Sequence, residues 1–207
     1  MLTKLERENP ALAKLAKQKD LTQAFKSLKV TKFQNVDDLF TSAKYEQWIG
    51  YMIHWNSQSK NEPFTVAKMF NDQLGSKKSF EMFAVAAKSA NPNVEQMGKS
   101  YQVQLFKLFQ KAGNTPGQIS TSLGGDAAAA KMFTTVMQST SKSDRKLGVK
   151  FANGFLKQWK EAGKTPAQLE QIAPSFLKTY ATLLRATEKS AIKANPVRAA
   201  AAAAARV

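Results

Sequence analysis

An all-α helical bundle is the fold this sequence predicts, on three observations. Apolar residues recur at helical spacing along most of the chain, and alternating β-branched runs with flanking Asn-Gly or Asp-Gly turns are missing. A ten-residue phrase built of helix-stop and helix-start residues is also written twice, as QKAGNTPGQI at 110–119 and KEAGKTPAQL at 160–169. In chain order, Leu21, Phe25 and Leu28 mark a first apolar face. Tyr45, Trp48, Ile49, Met52 and Ile53 form the strongest stripe, behind Ser42 as N-cap. Tyr101, Leu105, Leu108 and Phe109 repeat the spacing, as do Phe151, Phe155 and Trp159. Phe176, Tyr180, Leu183 and Leu184 line a last long helix. About eight or nine helices are expected on this periodicity.

The twice-written phrase encodes a corner. Gly113 and Gly163 stand where a helix commonly ends on a left-handed residue, which glycine adopts at least cost. Thr115 and Thr165 then cap a new helix, with Pro116 and Pro166 at its first position and Gln118 and Gln168 completing a capping box. The next apolar residue, Ile119 or Leu169, is expected to tuck the new helix back onto the old one.

Flanking residues keep the same offset of fifty: Met82-Phe83 with Met132-Phe133, Gly98 with Gly148, Tyr101 with Phe151, and Phe109 with Trp159. One helical unit used twice is implied. The predicted organisation is an N-terminal helical extension at 1–35, a first module at 36–125, a shorter related unit at 126–187 and a basic, alanine-rich tail at 188–207. Gly124-Gly125 makes the break before the second unit and is no phosphate loop, because no Gly-Lys-Ser/Thr follows. The run of seven alanines near the end has helix propensity but no apolar face to dock, so fraying is expected.

Charge is uneven. The net charge of +16 divides into +5 for 1–35 (eight basic, three acidic), +2 for 36–125 (nine, seven) and +9 for 126–207 (fourteen, five). Such a balance suits nucleic acid, an anionic membrane surface or an acidic protein patch. The lack of cysteine and a single histidine, His54, argue against thiolate nucleophiles, disulfides and the usual zinc or iron ligand sets. No stretch has the length and apolarity of a signal peptide or a membrane span. No cofactor is expected, and oligomeric state is left open.

Three segments together are more specific than any alone: VDDLFTSAKYEQWIGYMIHWN, then MFNDQLGSKKSFEMFAVAAKSA, then YQVQLFKLFQKAGNTPGQI. In order and spacing they resemble the WY (WY/LWY) module of oomycete RXLR effectors, in which a tryptophan helix pairs with a later aromatic helix ending in a Trp…Gly-Lys-Ser-Pro…Val-like corner. The similarity covers about residues 36–185. It implies tandem WY-like helical modules packed into an elongated body, with Trp48 as the motif tryptophan. The second-motif aromatic is then Tyr101 or Phe109 in the first unit and Phe151 or Trp159 in the second. By resemblance the protein is a non-catalytic virulence effector, secreted by the pathogen. It would act in the host cell, in nucleus or cytoplasm, by binding a plant protein and suppressing immunity or cell death. No RXLR or dEER leader is visible, Leu5–Arg7 being the nearest approach, so the chain reads as the effector domain alone. A basic helical nucleic-acid-binding protein is the alternative.

Trp48, Tyr51, Phe109 and Trp159 sit at core spacing, so packing is expected over base stacking. Lys178, Arg185, Lys189 and Lys193 form a basic stripe on the last helix, the candidate partner-binding face. It has no Asn or Gln beside its arginine to read bases. His54 lacks a second histidine or a nucleophile turn, so catalysis with Ser57 or Ser59 is not expected. Asp37 and Asp38 read as helix-start carboxylates favoured by the helix dipole. Phe33-x-x-Val36 and Phe25-x-x-Leu28 match a short strand-addition motif, but Phe25 lies on an apolar helical face.

Overall fold

In the computed structural model, residues 21–59 and 62–194 are described, and among them every regular element is helical. The chain divides into two compact units at Gly113/Asn114. The first contains α1 (Leu21–Ser27), α2 (Val36–Phe40), α3 (Ala43–Gln58), α4 (Val66–Leu74), α5 (Ser76–Ala86) and α6 (Pro92–Lys111). The second contains α7 (Pro116–Leu123), α8 (Asp126–Met137), α9 (Lys142–Glu161), α10 (Pro166–Ile172) and α11 (Leu177–Ala194). Short 3-10 turns occupy Val30–Lys32 and Pro174–Phe176. Eleven α-helices among the described residues exceed the eight or nine expected. Pieces as short as the five residues of α2 and the seven of α10 hold too few turns to show a period.

Every helix of the first unit places a ring in one aromatic cluster. Phe25 of α1 meets Trp48 edge-on at 5.2 Å and Phe70 of α4 at 4.9 Å. Phe40 of α2 meets Tyr45 of α3 at 5.0 Å and Tyr101 of α6 at 5.7 Å. Phe83 of α5 joins Phe70 and Tyr101, both at 5.4 Å. Such edge and tilted geometries place positive ring edges on negative faces. Because Phe25 is 3% exposed and sits inside this cluster, α1 belongs to the core of the first unit rather than to an extension. Ahead of α4, the Asn56 amide forms two backbone-like bonds with Phe64, donating to its carbonyl and accepting from its N–H, each at 2.8 Å.

The units share a frame. Thr65, Thr115 and Thr165 each cap a helix through the side-chain oxygen, accepting from Lys68, Gln118 and Gln168. Positive-φ Gly75 and Gly125 separate the first two helices of a block (φ 81° and 134°), and both third helices, α6 and α9, have twenty residues. The repeated block is therefore α4-α5-α6 followed by α7-α8-α9, and the corner phrase opens a block instead of closing one. This moves the boundary expected at 125/126 back to Gly113, since α7 packs against α8 and α9. Leu169 is fully buried as expected, but α10 packs on α8 and α11. The last helix continues to Ala194, past the expected tail boundary at 188, while the alanine run and Leu5–Arg7 lie outside the described residues.

Gly98 and Gly148 set the spacing within each block. A Cβ on Gly98 would lie 2.3 Å from the Ala87 nitrogen and 2.6 Å from the Ala86 carbonyl carbon. On Gly148 it would lie 2.8 Å from the Met137 nitrogen. In both cases backbone blocks the methyl, so the third helix of the block must shift away from the second. Gly98→Ala and Gly148→Ala are expected to cost about 1–3 kcal/mol or more, with Gly98→Ala the larger. Denaturant titration of each variant checks both size and order.

Candidate functional site

Trp48 is completely buried, and Tyr51 is 1% exposed. α3 starts on Ser42, whose hydroxyl accepts from the Tyr45 N–H at 3.1 Å. Its buried face runs through Tyr45, Trp48, Tyr51 and Met52, so Ile53, expected inward, is 61% exposed. The rings recorded against Trp48 are Phe25, Tyr45 and Phe70. The link from the tryptophan helix to α6 runs through its neighbour: the Tyr45 and Tyr101 hydroxyls lie 2.6 Å apart in a buried hydrogen bond. Of the two candidate partners on α6, Tyr101 is the one bonded to α3. Phe109 is buried lower on the same helix.

In the second unit Phe155 and Trp159 are buried with ring centroids 5.5 Å apart, whereas Phe151 is half-buried and meets Phe133 at 6.2 Å. The indole N–H groups of Trp48 and Trp159 are buried without a hydrogen-bond partner. Both tryptophans thus contribute apolar volume while bearing an unsatisfied donor. Apart from the half-buried Phe151, the aromatic site residues are core.

The corners are built as their sequence indicates. Gly113 and Gly163 have φ of 74° and 67°, and each threonine cap is closed reciprocally by its glutamine. The Lys164 N–H donates to Trp159 O at 3.0 Å, and Tyr180 of α11 donates its hydroxyl to Lys164 O at 2.6 Å. The first satisfies a carbonyl left over at the end of α9, and the second satisfies a carbonyl of the corner itself. The corner is a structural joint. Lys178 and Arg185 are exposed on α11, opposite buried Tyr180, while the side chains of Lys189 and Lys193 lie outside the described residues.

The remaining candidates resolve locally. Ser57 donates its hydroxyl to the His54 carbonyl at 2.7 Å, a helical back-bond that spends the hydroxyl away from the imidazole. Asp38 exchanges bonds with Asn35, its N–H donating to the Asn35 side chain at 2.7 Å as in a helix cap. Asp37 does more than start a helix: it accepts from Ser89 at 2.6 Å, fastening α2 to the loop after α5. Phe25 is spent in the core. Among the described residues no group of three or more His, Cys, Asp or Glu is placed to hold a metal, and no helix is long and apolar enough to cross a membrane.

Tyr45, Phe70 and Phe83 were missed as site residues. The signal was the ring-rich spelling of α2 to α5, where several aromatics fall one turn apart. The chain was compared with protein-family models, with curated proteins and with solved structures. None of the three yields a match.

Two predictions follow from this core. Trp48→Ala is expected to destabilise by about 3–5 kcal/mol. Trp48→Phe should cost far less, about 1–2 kcal/mol, because it also removes a donor with no partner; thermal and denaturant unfolding compare the two. The second concerns pH. Burial above all, then the adjacent Tyr101, pushes the Tyr45 phenol above its ordinary value. Tyr101 is also raised by burial, partly offset by the bond from Tyr45. In the unfolded chain both ionise near about pH 10. Their neutral-state stability is thus complete below that pH and is lost as pH rises above it, by up to about 1.4 kcal/mol per pH unit for each. Phenolate absorbance should rise with unfolding, and Tyr45→Phe/Tyr101→Phe should flatten the alkaline loss.

Proposed function

We propose that this protein is a secreted pathogen effector that works inside plant host cells, in nucleus or cytoplasm, by binding a host protein and suppressing immunity or cell death without catalysis. The observation that carries the reading is the burial of the motif aromatics in sequence order. Trp48 and Tyr101 lie in one ring cluster, joined through Tyr45, an arrangement that supports a WY-type pairing. With these residues committed to the core, the exposed charged faces remain as the surface for recognition, among them Lys178 and Arg185 of α11. The net charge of +16 favours the second reading, a basic nucleic-acid-binding protein.

Affinity purification of the tagged chain from plant tissue, followed by mass spectrometry, is expected to retain a specific host protein. A parallel Lys178→Glu/Arg185→Glu variant reads the share of the last helix. Gel-shift titration at two salt concentrations is expected to show duplex binding that disappears at physiological salt. Tight duplex binding that persists there, with no host protein retained, would replace the effector reading with the nucleic-acid one.

A further inference from the structure

We propose that the solvent face of α9 docks an acidic helical segment of a protein partner, a proposal that rests on the protein-binding reading above. Lys142, Lys146, Lys150, Lys157 and Lys160 fall along this face, the first four exposed and Lys160 half-exposed. From Lys142 to Lys160 the row extends about 27 Å at the helical rise. Asp144, on the same helix, is buried and off the row. Glu161 at its far end stands 3.9 Å from Lys157.

The sister helix provides an internal control. At the equivalent places α6 has Pro92, Gln96, Ser100, Lys107 and Gln110, a single cation in five positions. It is the third helix of the matching block and has the same length, so the frame does not require the lysines. Elsewhere on α6, Lys99 pairs with Glu95 and Lys111 with Glu62, which balances its surface charge. Lys142, the first residue of α9, also faces the positive end of the helix dipole, where cations are unfavourable. A surface that is costly at the helix start and absent from the matched helix points to recognition.

The chemistry favours protein over nucleic acid. Val149 is 44% exposed in the middle of the row, where α6 has Lys99, and Asn153 follows one turn later, also exposed. An apolar centre ringed by charge has the anatomy of a protein interface. Arg145, the side chain best shaped to fork a phosphate, is engaged with the Ser139 and Thr140 carbonyls at 2.8 and 2.7 Å. Phe155 and Trp159 are buried and Phe151 half-buried, so α9 offers bases no open ring to stack on. A straight helix bearing glutamates around one central leucine complements such a row.

The test titrates the full chain, at physiological salt, with a synthetic helical peptide of that design as long as α9. Duplex DNA of equal charge serves as competitor. Binding of the peptide is expected, weakened about tenfold or more in Lys146→Glu/Lys150→Glu and weakened also in Val149→Lys, which restores the α6 residue. The matched α6 variant Gln96→Glu/Ser100→Glu should leave the affinity unchanged. Circular dichroism, with Lys146→Gln/Lys150→Gln as the milder pair, separates lost binding from lost folding. Peptide affinity indifferent to the Lys146/Lys150 reversal, or duplex DNA binding more tightly than the peptide, overturns the proposal. A host protein captured equally by wild type and Lys146→Glu/Lys150→Glu overturns it too and leaves the protein-binding reading standing. Peptide binding that needs the lysines, with no host protein captured by wild type, supports the docking face and counts against the host-protein reading alone.

Discussion

The six helices of the first unit depend on one ring cluster, because half of them are far too short to be stable alone. Helices of five to nine residues are marginal in water, and α1, α2 and α4 are of that size. Each contributes one phenylalanine, at Phe25, Phe40 and Phe70, to a cluster anchored by Trp48, Tyr45, Phe83 and Tyr101 from the longer helices. Edge-on contacts are directional, so the cluster fixes helix orientation as well as burying area. Its internal polar link, between Tyr45 and Tyr101, places two hydroxyls where one donates to the other. The close approach at Gly98 sets how near α6 comes to α5, and so positions Tyr101 to receive Tyr45.

Much of this was legible in the sequence wherever the code is local. A glycine stop, threonine cap, first-turn proline and third-position glutamine act within a few residues, and both corners were read from them correctly. The phase of the repeat was not legible for the same reason. Thr65 opens the first block with Val66 and Lys68 in place of proline and glutamine, so the third copy of the corner lacks its spelling. Periodicity also misplaced the centre of the α3 face. Ile49 and Ile53 match the apolar spacing as well as Tyr51 does, and only the neighbouring rings decide that Tyr51 turns inward and Ile53 outward. Of the candidate basic face, Lys178 and Arg185 were placed correctly as exposed. The row on α9 is written at the same helical spacing, but Phe151, Phe155 and Trp159 dominate the pattern of that helix.

Duplication and divergence divide between interior and exterior. Gly98 and Gly148, the capping threonines and the positive-φ glycines recur because backbone geometry admits few substitutes. Exposed positions of α6 and α9 have separated, Lys99 against Val149 and Ser100 against Lys150. Even the interior is not uniform. Gln102 is buried in α6 and donates to the Phe83 carbonyl at 3.3 Å, where α9 has Ala152 and needs no such partner.

The Asn56 amide has a consequence for chain length. Its paired bonds to Phe64 imitate a two-stranded ladder with a single side chain, closing the path between α3 and α4 at its two ends. Residues enclosed by such a clasp are relieved of the task of joining the helices. Loop-closure entropy grows only slowly, by about 0.6 kcal/mol for each doubling of length. This is therefore a place where the protein can accept an insertion, an epitope or a reporter while its helices keep their register.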